Sequence, residues 1–358
     1  MTHPTSPSGF NRRRALIAAG LTAGAAVQPT IALASHHFES VAARKDPALG
    51  LIDLFVFNSP DSDRTVFILT VNFLPKPGVD LLNRNALYNI HCATSKDLKE
   101  GMTWTFAYDG KQVACTRSGE PNGAIGAKGK SIGHLTPDKE GELAGGIRAR
   151  IGRAKDPFFG NSPGLHAYRA QIAEGRYDPS IWEKASGTNI FLGRECGVIV
   201  LEVPNQMLGK DIAVFSTVAQ RQGSKWQQVQ YMAKPLIAHT MLFDDDTLKT
   251  AYNTSRPNTQ GEFKNFFKAS IARSAHFAGG RADAFSYADK TTELLLPDVL
   301  RYEVGSEASF TAEKLNGRKL TDDAMSTTLT LLIGKPTSQH LKDPGNYNVN
   351  KFPYVLST

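Results

Sequence analysis

Cysteine is scarce: three residues in 358, Cys92, Cys115 and Cys196, are too few for a disulfide framework, so the fold must rest on a hydrophobic core. No long apolar run is present either. The most apolar stretch, residues 15–27, is rich in Ala and Gly and is broken by Gln28 and Pro29, whereas a bilayer-spanning helix needs about 20 predominantly apolar residues. Charge excess is small as well, with 41 basic against 34 acidic side chains. Those charges are scattered, which argues against nucleic acid, whose binders gather basic side chains on one face. Signatures of familiar chemistry are missing: the chain has no His-Glu-x-x-His, no Cys-x-x-Cys and no haem-attachment motif, and no nucleophile elbow is read in it. The run Gly123-Ala124-Ile125-Gly126-Ala127-Lys128-Gly129-Lys130-Ser131 invites comparison with a phosphate-binding loop but lacks the outer glycine, since Ala124 stands there. The polar, glycine-rich tract 116–146 around it is expected to be a long surface loop.

What is present begins with a leader. Arg12, Arg13 and Arg14 precede the apolar run, and Ala32-Leu33-Ala34 offers a small-x-small cleavage site, so residues 1–34 read as a twin-arginine signal peptide and the protein as periplasmic. Residues 35–358 are then the working chain, long enough for a single large domain. Removing the leader takes away three arginines and no acidic residue, leaving 38 basic against 34 acidic side chains. No membrane span is expected in that mature part.

Two stretches have the pattern of strand, proline-led turn and returning strand: residues 51–73, around Asn58-Ser59-Pro60-Asp61, and residues 197–218, around Pro204-Asn205-Gln206. They look like pseudo-repeats, near 51–115 and 190–243. They predict an antiparallel β-sandwich built from two hairpin-like repeats. A further hairpin turns at Asp109-Gly110, between the strand patterns 104–108 and 111–115. If the strand ending at Cys92 lies beside it, a Cys92–Cys115 bridge is possible; the alternative is three small buried thiols with no bond. Helical periodicity comes late, in 261–277 and 282–296, and in 324–333 behind the capping oxygens of Thr321, Asp322 and Asp323. Gly334 and Pro336 stop that last helix. The fold class is therefore α+β, mainly β, with C-terminal helices (near 261–334) packed on one face or end.

A family resemblance runs in order along the mature chain. Ser35-His36-His37-Phe38-Glu39, Asp53-Leu54-Phe55-Val56-Phe57-Asn58-Ser59-Pro60-Asp61, Asp156-Pro157-Phe158-Phe159, Val200-Leu201-Glu202-Val203-Pro204, Trp226-Gln227-Gln228-Val229-Gln230 with Pro235-Leu236-Ile237, Pro297-Asp298-Val299-Leu300, Asn316-Gly317-Arg318 with Asp322-Asp323, and Phe352-Pro353-Tyr354 make up the set. The chain resembles the bacterial domain-of-unknown-function family 4331. That resemblance implies an exported, largely β protein and no particular activity. The family's opening arginine and proline are absent here, with His37 and Ser40 near their places.

Three constellations could carry chemistry. Cleavage after Ala34 would expose Ser35-His36-His37, whose amine, two backbone nitrogens and third-position imidazole can surround Cu(II) or Ni(II) in a square plane; a frayed end is the plain alternative. His36, His37 and Glu39 could instead join Asp53 and Asp156 as a mixed nitrogen and oxygen set for Zn(II), Mn(II) or Ca(II). Against this, Asp156 before Pro157 suits a turn, and Asp53 inside an apolar strand suits pairing with Arg318. The third reading is structural: Asp53, Asp156, Arg318 and Asp322 as a buried ion-pair network, with Asp323 as a cap. Two function classes follow. One is a non-catalytic periplasmic binding or scaffolding protein, metal-dependent or not, with an unknown ligand or protein partner; the other is a metal-assisted hydrolase or oxidoreductase.

Overall fold

Alternation along the strands sets the layers. On β3 (Ala86–Ala93), Tyr88, Ile90 and Cys92 join the core between two sheets, while Ala93 packs in a second core on the opposite face. On β10 (Asp211–Gln222), Ile212, Val214 and Val218 belong to the first core, and Ala213 and Phe215 to the second. Strands buried on both faces need helices over one of them. The computed structural model describes residues 40–358 except 62, 120, 122–128, 185–188, 190 and 243–244, and all of these belong to one compact unit.

The first sheet has five strands, in the order β1 (Leu51–Asn58), β2 (Arg64–Val71), β9 (Glu195–Pro204), β8 (Ile147–Lys155) and β7 (Glu140–Leu143). The second runs β11 (Lys225–Met232), β10, β3, β4 (Gly101–Tyr108), β5 (Val113–Ser118) and β6 (Lys130–Leu135), and β12 (Leu300–Glu303) also pairs with β10. A small ribbon joins β13 (Ser309–Phe310) to β14 (Leu315–Asn316). Every pairing is antiparallel. The expected α+β, mainly β sandwich is thus the observed architecture.

Eight helices accompany the strands among the described residues: α1 (Val41–Lys45), α2 (Ser162–Ala173), α3 (Ser180–Lys184), α4 (Ile237–Met241), α5 (Asp246–Asn253), α6 (Lys264–Phe277), α7 (Ala284–Leu295) and α8 (Ala324–Ile333). Phe267 and Ile271 of α6 and Leu329 and Leu332 of α8 pack with Phe215 and Tyr231 in the second core. The start of α8 follows from its cap: Asp323 accepts from the Ser326 amide at 3.0 Å. Its end follows from Gly334, whose φ of 81° lies in the left-handed region that glycine enters at little cost. No helix of the described residues is long and apolar enough to cross a membrane.

Three expectations are corrected. The second apolar pair is not a hairpin, because β9 pairs with β2 and β8 in the first sheet while β10 joins the second, and residues Asn205–Met207 form a 3-10 turn that carries the chain between layers. The tract 116–146 is not one loop. Its described residues hold the end of β5 and all of β6 and β7, and a strand, not a helix, follows Gly129. The Cys92–Cys115 bridge is excluded by register. Cys92 stands opposite Met102 and Cys115 opposite Phe106 on the two sides of β4, so they are two strands apart, roughly 9.5 Å across the sheet and displaced along it, beyond the reach of a disulfide. All three cysteines are buried free thiols.

Buried joints and a candidate binding cavity

Asp53 lies within β1, and Arg318 arrives beside that strand through a local exchange of backbone hydrogen bonds, Val56 N to Arg318 O at 3.1 Å and Arg318 N to Val56 O at 2.8 Å. The approach requires Gly317, since a Cβ there would lie 2.4 Å from the Val56 carbonyl oxygen. Arg318 Nη1 then donates to Asp53 Oδ1, and the guanidinium sits 4.1 Å above the Phe55 ring centre. Both side chains are at most 3% exposed. The expected four-member network shrinks to this pair, because Arg318 makes no other ion pair among the described residues. Asp322 instead accepts from the Lys319 and Phe310 amides, at 2.7 and 3.2 Å. Burial raises its pKa, against the pull of those amides and of the Lys319 and Arg318 charges. Asp156 accepts from the Phe158 amide at 3.0 Å, the turn role its neighbour Pro157 implied. Asp323 caps α8 and also accepts from Gln339 Nε2 at 2.6 Å.

His36, His37 and Glu39 lie outside the described residues. Among the described residues no three His, Cys, Asp or Glu side chains stand close enough together to hold a metal ion. Asp53 and Asp156 are brought near one buried group, Cys196. Burial first, and then the charges of Asp156 and Asp53, raise that thiol's pKa well above its usual value.

Other motif residues also serve as joints. Buried Glu202 of β9 accepts from Ser59 Oγ at 2.8 Å and lies 2.9 Å from Arg148 Nη1 and 3.4 Å from Arg64 Nε; the Tyr354 hydroxyl is 3.0 Å from Ser59 Oγ. Gln228 donates to the Asn253 and Ser255 carbonyls, both at 2.8 Å, and so ties α5 to β11. Gln230 donates to Ser40 Oγ at 2.7 Å. His91 is a satisfied core side chain: its ring nitrogens lie 2.8 Å from the Thr103 and Thr217 hydroxyls and its face stacks on Phe215.

The sequence reading passed over Gly160-Asn161-Ser162-Pro163-Gly164, which has the literal Gly-x-Ser-x-Gly spacing. Geometry removes the nucleophilic reading. Ser162 is buried in the first turn of α2, and neither it nor Asn161 has the positive φ of a strained elbow. Asn161 caps α2, accepting from the Gly164 amide at 2.9 Å. Gly164 is needed for close packing, because a Cβ would fall 2.6 Å from the Trp182 ring.

A cavity of about 270 Å³ opens where α2, α4, α6 and α8 meet. Leu165, Tyr168, Ile172, Ala173 and Leu332 supply its apolar wall, and Arg169, Arg273, His239, Thr240, Ser270 and Ser274 its polar part. No carboxylate, lysine or thiol is among those lining residues. Arg273 Nη2 donates to the Ile172 and Ala173 carbonyls at the end of α2, at 2.9 and 3.1 Å, and Arg169 donates to the His239 carbonyl. The Tyr168 hydroxyl is buried near Ser274 without meeting hydrogen-bond geometry to it. Sequence reasoning missed this site because its polar residues come from three separate helices and share no motif. No protein-family model, no curated protein and no solved structure matches the chain.

Proposed function

We propose that the protein is an exported, non-catalytic binding protein that holds a small anionic ligand with an apolar body in the cavity between α2, α4 and α6. The observation that carries this reading is the lining: two guanidinium groups and an imidazole over an aliphatic and aromatic wall, with no carboxylate to repel an anion. A concave, mostly apolar site with a few convergent polar groups is the usual form of a small-molecule site. The resemblance to family 4331 and the leader support export. The motif charges Asp53, Glu202 and Arg318 support a non-catalytic role, because each is engaged in a buried joint. The metal-assisted hydrolase or oxidoreductase remains the competing reading, and stoichiometric metal in the exported protein would favour it.

The test is a thermal-shift and calorimetric titration with hexanoate and its uncharged counterpart hexanamide. Hexanoate should raise the melting temperature in a concentration-dependent way, as a ligand selective for the folded state must. Hexanamide should do so much less, and Arg273→Met, measured against its own unliganded baseline, should weaken hexanoate binding by about tenfold, the loss of one charge-assisted contact. Equal response to acid and amide, or undiminished binding by the variant, would refute an anion site.

A further inference from the structure

A second cavity, of about 210 Å³, lies at the edge of the helical layer and holds a buried lysine. Lys234 follows β11, and its side chain is 5% exposed. Its Nζ donates to the Leu295 carbonyl at 2.9 Å and the Pro297 carbonyl at 3.3 Å. The nearest carboxylate oxygen, Asp298 Oδ1, is 3.7 Å away and already accepts from the Lys234 amide at 2.9 Å, while Oδ2 accepts from the Tyr252 hydroxyl at 2.8 Å. Asp298 is therefore held in place by other donors and makes only a long ion pair with the ammonium. The remaining wall is mainly apolar, formed by Leu296, Pro297, Val299, Leu300 and Leu315, with Glu293 and Arg301 also lining the space.

We infer that Lys234 is a reactive amine site that captures small aldehydes or ketones from this cavity as an imine. An amine desolvated among aliphatic walls, with a cationic side chain nearby, is a setting in which lysine acts as a carbonyl nucleophile. The neutral Nζ attacks the carbonyl carbon, forming the C–N bond as the C=O electron pair moves to oxygen. A proton passes from nitrogen to that oxygen. Loss of water then leaves the imine, so amine and carbonyl give imine and water with no oxidant or reductant. Charge around the amine supports the step: burial first, outweighing the opposing attraction of Asp298, and then the Arg301 charge, lower the Lys234 pKa to about 8. Glu293 is the acidic group among the residues lining the space.

The experiment uses the folded full-length protein with propanal and cyanoborohydride at pH 8, followed by peptide mapping by mass spectrometry. Lys234 should be propylated roughly tenfold faster than the exposed Lys99 and Lys210, because an amine of pKa near 8 is about half neutral there while an ordinary lysine is almost wholly protonated. Its advantage over them should shrink at pH 10. Labelling of Lys234 only after denaturation, or no faster than Lys99, would overturn the inference and assign the side chain to capping the end of α7. Lys234→Arg, with circular dichroism to establish that it folds, should abolish the 234 adduct and leave the surface adducts unchanged.

Discussion

The two faces of the second sheet are buried against different partners. Toward the first sheet, the packing is aliphatic and aromatic, with Tyr88, Ile90, Trp104, Phe106, Val214 and Val218 facing the side of the first sheet that carries Phe67, Leu69, Ile199 and Leu201. The joints of Asp53 with Arg318 and of Glu202 with Arg64 and Arg148 stand on the other face of the first sheet, since Asp53 is opposite Thr70 and Glu202 opposite Val66, on the side away from Phe67 and Leu69. Toward the helices, the same sheet buries His91 and Tyr231, and the layer above it holds Tyr252, Lys234 and Asp298 together with the two cavities. Two pleated sheets offer regular opposing rows that interdigitate about 10 Å apart. Helices crossing a sheet leave irregular gaps, and here those gaps are where polar groups and open space collect. The difference separates the structural part of the molecule from the part that can take a ligand.

The largest expected effect tests the closed joint. Arg318→Met removes the guanidinium that balances the buried Asp53 carboxylate, so denaturant unfolding should show a loss of about 3–5 kcal/mol. The double variant Asp53→Leu/Arg318→Met should recover much of it, since neither charge is then stranded. Unchanged stability in Arg318→Met would mean that the margin of the sandwich core is no more demanding than the helical layer.

A smaller effect is expected at His91, where the two regions meet. Its folded pKa is held well below 6.5, chiefly by burial and secondarily by the Arg256 charge, so below pH 6.5 the unfolded chain takes up a proton that the folded chain refuses. Stability is therefore fully present above pH 6.5 and is lost as pH falls, by at most about 1.4 kcal/mol per pH unit from this one group. Comparing urea midpoints at pH 7 and pH 5 for the protein and for His91→Gln isolates the contribution. The same slope in both would show that the helical side of the sheet admits water.

The smallest effect belongs to the thiols of the sandwich. Burial pushes Cys92 and Cys115 up to about 12, and neither has a partner sulfur within reach. Native protein should resist iodoacetamide and melt at the same temperature with or without reductant, while unfolded protein should take up three labels. A reductant-dependent melting temperature would contradict the register of β3 to β5.

Much of this organisation is readable along the chain. The run 51–57 is apolar but for Asp53, as a buried strand should be, and turns at Asn58-Ser59-Pro60-Asp61 as β1 and β2 do, and Asp323 with Gly334 brackets α8 as a cap and a stop should. Other elements carry no such signal. Residues Lys130–Leu135 and Glu140–Leu143 are strands near one edge of the sandwich, with much of their surface exposed, so they lack the apolar run that marks a buried strand. Pro163 and Gly164 resemble helix breakers, yet proline is tolerated in the first turn, where its missing amide costs nothing, and α2 forms around them. The turn at Pro204 reads the same whether the next strand pairs back or crosses to the other sheet.

Local order was determined by the sequence itself, because side-chain period, caps and turn residues act within a few positions and need no distant partner. Pairing was decided by the tertiary structure. Which sheet receives β10, that Arg318 meets Asp53 from 265 positions away, and that Lys234 bonds to the Leu295 and Pro297 carbonyls are outcomes of packing, since burial makes a charge find a partner in space and leaves no trace of it in spacing.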